Sequence, residues 1–360
     1  MSGADVKPNG ADVKPALAPG VRLGQVSFVW RPWIASVTFL LAAATFLVFC
    51  VSIAVGDFPL GLSQVIATIL GRGEQVDEFV IMDLRMPRAL AGLVVGIALG
   101  VSGAITQSIA RNPLASPDIL GITWGASAVA VFGVTVSGGT AAAVVHSVGL
   151  SAAALAGGLC TGLLVYFLAW RRGIDGFRLI LIGISVSAVM EAITTWLLAT
   201  ADIRDVAQAQ AWLVGSLDNR SWDEVHVALW GTLALLVVVS CIAFQFKPLH
   251  LGDDVAAGLG VRYSAVRAVL LLCAVLLAGV AVSAAGPVPF VALVAPQMAM
   301  RLARCPTPPM VASGMVGAVL LIGSDLVART ALPVSLPVGV VTAAIGGPFL
   351  VYLLVRANRR

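Results

Sequence analysis

Charge is what this sequence has least of. Asp, Glu, Lys and Arg make up 11% of its 360 residues, where a soluble domain carries about 25%. That is too little polar side chain to cover a water-facing surface, which excludes an ordinary soluble globular fold. Lysine is confined to Lys7, Lys14 and Lys247, and no basic stretch is interleaved with aromatics. The net charge of +4 therefore carries no nucleic-acid signature. The five cysteines (Cys50, Cys160, Cys241, Cys273 and Cys305) form no CxxC pair, and His146, His226 and His250 are scattered. That spacing supports neither a disulfide framework nor a metal site of protein ligands. No GxxxxGK[ST] phosphate loop and no HExxH helix is present, so an ATPase and a zinc protease of those types are excluded as well.

What the chain does have is apolar length. It is 59% hydrophobic, in blocks of roughly twenty residues, the length a helix needs to cross about 30 Å of hydrocarbon. The blocks predict an all-α, polytopic membrane protein of about ten transmembrane helices. These fall near 33–56, 89–110, 119–137, 143–170, 178–200, 224–246, 264–285, 287–304, 309–331 and 335–356. Residues 1–32 read as a disordered cytoplasmic tail in which GADVKP occurs twice, and 33–356 as one membrane domain. The apolar run after the tail is too long for a signal-peptide core. With ten spans both termini share a side. If that side is the cytoplasm, 16 of the 22 Lys and Arg lie inside and 6 outside, as the positive-inside rule favours.

Local chemistry locates several special places. The second span carries Gly92-x3-Gly96-x3-Gly100, small residues on one helix face that let another backbone approach closely. The segment ARNPLASPDILGITWGA, Ala110–Ala126, follows on the inner side. Pro113 cannot continue the helix before it. Ser116 is placed to cap the next helix, with Pro117 at its first position and Asp118 in its first turn. Gly121 and Gly125 then favour close packing. Glu191 interrupts the fifth span, where a carboxylate costs about 2.5–3.5 kcal/mol or more. It is read as facing a pore, as a buried polar partner, or as a proton relay. Gln107 in the second span is a weaker case of the same kind. Asp325 stands one turn before Arg329, a spacing that suits an i,i+4 ion pair.

Between the sixth and seventh spans, Gly252 precedes an acidic helix start at Asp253 and Asp254, which suits the helix dipole. Ala256, Ala257 and Leu259 offer a small apolar face, and Gly258 and Gly260 end it. Such a short helix in a loop at 249–262 is suited to docking in a groove of another protein. On these residues alone, an ordinary solvated loop remains the alternative.

Four segments, in order, carry a resemblance. They are RMPRALAGLVVGIALGVSGAITQSIARNPLASPDILGITWGA (Arg85–Ala126), LGDDVAAGLGV (Leu251–Val261), AAGPVPFVALVAP (Ala284–Pro296) and LPVGVVTAAIGGPFLVYLL (Leu336–Leu354). Together they resemble the iron-siderophore and vitamin B12 ABC-importer permeases, the FecCD-type family, over about residues 35–356. RNPLASPDILG, AWRRGIDGFRLILIGI (Ala169–Ile184) and GDDVAAGLG look closest to a ferric-enterobactin permease subunit that pairs with a different permease subunit.

The resemblance implies a transport subunit of the bacterial inner membrane rather than an enzyme. Its expected cargo is a ferric siderophore, of the catecholate type on the closest likeness. It implies ATPase partner subunits that use ATP and Mg, a second permease subunit, an extracytoplasmic siderophore-binding protein, and no cofactor on this chain. The segment with Gly252, Asp253, Asp254, Ala257, Leu259 and Gly260 is expected to couple to the ATPase. Arg85, Arg88 and Arg329 are expected to meet carboxylates of the binding protein, and Glu191 and Gln107 to border the path. One departure stands out. Where many relatives have PHxAR, this chain has Pro296-Gln297-Met298-Ala299-Met300. A vitamin B12 or haem cargo remains the alternative within the family. Outside it, the alternative is an ion-coupled secondary transporter centred on Glu191.

Overall fold

The computed structural model describes residues 20–23, 26–29, 31–56, 58, 60–136, 145, 147, 149–170, 176–249, 263–331 and 335–358. Twelve helices run through them: α1 Pro32–Ala54, α2 Leu62–Ile69, α3 Gln75–Ala110, α4 Ile122–Thr135, α5 Leu150–Ala169, α6 Gly176–Thr200, α7 Ile203–Leu213, α8 Trp222–Leu249, α9 Tyr263–Ala285, α10 Val291–Ala303, α11 Met310–Thr330 and α12 Val338–Asn358. Among the described residues, eight helices are long and apolar enough to cross a membrane: α1, α3, α5, α6, α8, α9, α11 and α12. The apolar α4 and α10 are shorter, at 14 and 13 residues.

The architecture differs from the sequence reading in three places. Within the stretch expected to be disordered, Gly20–Leu23 (β1) and Val26–Val29 (β2) pair as an antiparallel hairpin, with Gly20 opposite Val29. The connections between spans hold helices of their own, α2 and α7. The third span begins at Ile122 rather than near 119.

α3 is the hub of the bundle. It packs most extensively on α11 and α9, then on α10 and α8. The glycine pattern explains the first contact. A Cβ on Gly96 would lie 2.5 Å from the Ala318 Cα, and one on Gly100 would lie 2.2 Å from the Ser313 carbonyl oxygen. α11 answers with a glycine: a Cβ on Gly317 would lie 2.2 Å from the Gly96 oxygen. Contact of backbone on backbone is what small residues four apart permit. α4 pairs with α5 by the same device, since a Cβ on Gly125 would lie 2.1 Å from the Thr161 hydroxyl. α6 lies beside α4 and α5, and α12 beside α11, so both stand at the periphery.

Over Phe79–Arg85 the helix α3 is π-wound. Pro87 has no N–H for the carbonyl four residues back and its ring crowds that carbonyl, which favours a wider turn. The Trp222 indole N–H donates to the Met82 carbonyl across this stretch (2.9 Å). At its far end α3 stops at Ala110. Arg111 takes a left-handed conformation (φ 48°), and the Asn112 N–H returns to the Gln107 carbonyl (3.2 Å). The Asn112 side chain then accepts the Leu114 N–H (2.9 Å), bending the chain before Pro117. Pro117–Leu120 forms a separate 3-10 turn, closed by Gly121 at φ 77°. A left-handed residue cannot sit inside a right-handed helix, so α4 starts after it. Asp118 in this turn accepts the Thr123 hydroxyl (2.5 Å). Burial pushes its carboxyl pKa up, against the Thr123 and Ser116 hydroxyls, which pull it down.

Candidate functional site

Arg85, Arg88 and Arg329 meet at one end of the bundle, around a cavity of about 890 Å3 that also touches Asp83, Asp218 and Arg220. Two of the three cap a helix. Arg85 is buried; its Nη1 donates to the Ile53 and Ala54 carbonyls (3.0 and 3.1 Å) and its Nη2 to that of Phe58. Arg329 donates to the Val55 carbonyl (2.9 Å) and to the carbonyl and hydroxyl of Ser52. The last carbonyls of a helix lack partners within it and form the negative end of its dipole. The two guanidinium groups thus close the C-terminus of α1. At the opposite end Arg267 does likewise for α3, donating to the Ile109 carbonyl (3.2 Å).

Arg88 is held differently, between two carboxylates. Its Nε and Nη2 form a fork on Asp325 (3.0 and 2.9 Å), and its Nη1 donates to Asp218. Asp325 also lies 3.7 Å from the Arg329 Nε. The helical pair suggested by the sequence is therefore the longer contact, and the short partner of Asp325 comes from α3. Next to this cluster, Glu224 accepts the Ser221 N–H (2.9 Å) and pairs with Arg220 (3.1 Å). Side-chain capping of this kind fixes the start of α8.

Sequence reasoning missed Asp218 and the Arg88–Asp325 fork. The usable signal was depth: Asp325 lies inside an apolar span, and a buried carboxylate needs a partner, whereas nothing local marked Asp218 in its loop.

The two polar residues inside spans part company. Gln107 is buried. Its amide donates to the Leu293 carbonyl (3.0 Å) and its oxygen accepts the Gln297 amide (2.7 Å). The residue that departs from the family pattern thus completes a polar bridge between α3 and α10. Glu191 is exposed on α6. Ile184, seven residues back, shares its face and is exposed as well. The structure brings Glu191 together with neither Gln107 nor the arginine cluster. Gly252, Asp253, Asp254, Ala257, Leu259 and Gly260 lie outside the described residues, between the end of α8 and the start of α9. Among the described residues no three His, Cys, Asp or Glu side chains are grouped to hold a metal ion.

At the other end of the bundle, where Arg267 caps α3, two further arginines lie on aromatic rings. The Arg301 guanidinium is 5.4 Å from the Phe349 ring centre and 5.8 Å from that of Tyr352, and Arg304 is 4.4 Å from that of Trp33.

The comparisons with known proteins agree with one another. Residues 44–356 match the model of the FecCD transport family. The ferric enterobactin transport system permease protein FepG of Escherichia coli (strain K12) is 39% identical over 306 residues, 85% of this chain and 91% of that protein. The vitamin B12 import system permease protein BtuC of Serratia proteamaculans (strain 568) is 35% identical, over 89% of this chain and 92% of that protein. A metal-chelate type ABC transporter solved in an inward-facing conformation superposes with a TM-score of 0.78 at 25% identity, covering 89% of this chain and 99% of that one. With the fold and the sequence in agreement, this chain belongs to the FecCD transport family.

Proposed function

We propose that this chain is the membrane-spanning permease subunit of an ATP-binding-cassette importer in the bacterial inner membrane, and that its cargo is a ferric siderophore of the catecholate class. One observation carries the reading. The family match spans residues 44–356, and a relative at 39% identity over 91% of its own length is named for ferric enterobactin. Relatives named for achromobactin and for an iron(3+)-hydroxamate system, at 39% and 36% identity, support the wider siderophore class.

On this reading both termini are cytoplasmic and the Arg88 end faces outward. The cavity around Arg85, Arg88 and Arg329 receives the extracytoplasmic binding protein. Arg85 and Arg329 brace the wall of the cavity by closing α1, and Arg88, whose Nη1 is held only by the exposed Asp218, offers a docking carboxylate a charged donor. The Gly252–Gly260 segment docks on the ATPase partner, which uses ATP and Mg; this chain contributes motion, not hydrolysis. A second, different permease subunit completes the path. The bare face of α6 supports that last point. A carboxylate facing hydrocarbon costs about 2.5–3.5 kcal/mol or more, so the Glu191 face belongs against protein or water, as a path wall or subunit seam would be.

The test is uptake of labelled iron–siderophore, vitamin B12 and haem by cells lacking this chain. Loss of iron–siderophore uptake alone, restored by the intact gene, is expected. Unchanged siderophore uptake with no compensating paralogue, or loss of B12 or haem uptake instead, overturns the cargo. The ATPase should co-purify with the chain, and deleting Gly252–Gly260 should abolish both co-purification and uptake while the protein stays folded. Uptake that survives the deletion would favour an ion-driven carrier.

A further inference from the structure

We propose that Asp218 is a built-in stand-in for a partner's carboxylate. An acidic side chain docking on Arg88 displaces it, and the freed loop loosens the outer fastening of α9, α10 and α12. This rests on the reading of the Arg88 end as the face that receives the binding protein.

The two partners of Arg88 are not equivalent. The Asp325 side chain is 3% exposed and that of Asp218 65% exposed, with Arg88 between them at 19%. Asp325 holds a fork of two arms, whereas Asp218 holds Nη1 alone. Removing a buried partner strands a charge, while an exposed ion pair is worth little because water screens it. Exchange therefore happens at Asp218. A carboxylate entering through the cavity replaces like with like at Nη1, and the fork on Asp325 keeps the guanidinium aimed.

What Asp218 holds gives the exchange a consequence. Its loop is stitched to two other elements by backbone. The Ser216 N–H donates to the Ala285 carbonyl at the end of α9 (2.8 Å), and the Gly339 N–H at the head of α12 donates to the Gly215 carbonyl (3.2 Å). Glycines make the stitching possible. A Cβ on Gly215 would lie 2.1 Å from the Pro287 oxygen, in the turn between α9 and α10, and one on Gly339 would lie 1.8 Å from the Val214 oxygen. Gly215 and Gly286 also have φ of 73° and 71°, which suits glycine. Leu217 seats the same loop on α3, where a Cβ on Gly92 would lie 3.1 Å from its methyl. One loop thus joins the docking arginine to the outer ends of α9, α10 and α12, and Asp218 is its ionic tie to α3.

The experiment uses the intact transporter in lipid nanodiscs with its binding protein. Asp218→Asn removes the competing charge and should tighten docking about threefold, the worth of an exposed ion pair, whereas Asp218→Glu should leave docking near the wild-type value. Unchanged or weaker docking by Asp218→Asn overturns the proposal. Hydrogen exchange gives a second reading. In the wild type, docking should speed exchange at the Ser216 and Gly339 amides; in Asp218→Asn both should be fast beforehand. Amides that do not respond to docking in the wild type also overturn it. A photo-crosslinker on Asn219→Cys separates the two ideas. Capture of the binding protein at that position, with no Asp218 effect, defeats the exchange but keeps the docking face. No capture while docking is measurable defeats the docking face itself.

Discussion

Two helices of this bundle each interrupt a long apolar run with one polar side chain: Gln107 in α3 and Glu191 in α6. The structure treats them in opposite ways. Of the most apolar stretch of α3, 83% is buried inside the chain, against 22% for α6. Gln107 spends its hydrogen bonds on α10, while Glu191 lies on an uncovered face. The comparison teaches that an apolar span states its solvent but not its neighbours. In a hydrocarbon setting, a helix packed on helices and a helix facing lipid have similar composition, because lipid tails are as apolar as leucine. Small residues spaced for backbone contact mark the hub, and an unsatisfied charge marks a face that is unfinished in one chain.

The largest effect that can break the comparison is a side chain in the α3–α11 seam. Gly100→Leu has no space against the Ser313 carbonyl and should cost about 3 kcal/mol or more, read as lost monodisperse yield and a lower melting temperature. Ala192→Leu on the exposed face of α6 should stay within about 0.5 kcal/mol. Equal losses for the two would erase the distinction. Next comes the polar bridge. Gln107→Leu strands the Gln297 amide and should cost about 1–3 kcal/mol. The double variant Gln107→Leu, Gln297→Leu should recover much of it, and a thermal double-mutant cycle measures the coupling. Glu191→Gln should leave melting within about 0.5 kcal/mol yet alter uptake. A melting loss as large as that of Gln107→Leu would instead make Glu191 a buried structural partner.

The smallest effect is in the elbow after α3. Burial raises the Asp118 pKa, so between the ordinary carboxylate pKa and the raised one the native state holds more protons than the unfolded state. Stability should therefore fall as pH rises through that window. Asp118→Asn should flatten that part of the melting-versus-pH curve, and a slope that persists would assign it to another group.

Sequence reading reached far where the physics is local. Span lengths, the proline-bounded elbow at Pro113 and Pro117, and the Gly92–Gly100 face follow from backbone rules that act within a few residues. It fell short where partners are distant. Arg88 and Asp325 are 237 residues apart, and no spacing rule joins them. The i,i+4 rule pointed Asp325 at Arg329 because that neighbour was the only one a linear pattern can propose. Gln297 looked like a bare departure from a motif, and its meaning came with Gln107 across two helices. The start of α4 moved because Gly121 turns left-handed (φ 77°), a conformation that glycine permits at low cost but does not by itself dictate.

By itself, then, the sequence determined the solvent of this protein, the run of its helices and the family in which it stands. Apolar length and ordered motifs are properties of the linear chain. The tertiary structure decided which charges neutralise one another, which helix is hub and which is rim, and that Asp218 shares Arg88 with Asp325. Those outcomes depend on distance in space, and a guanidinium in a low-dielectric interior is governed by whatever carboxylate folding brings within about 3 Å of it.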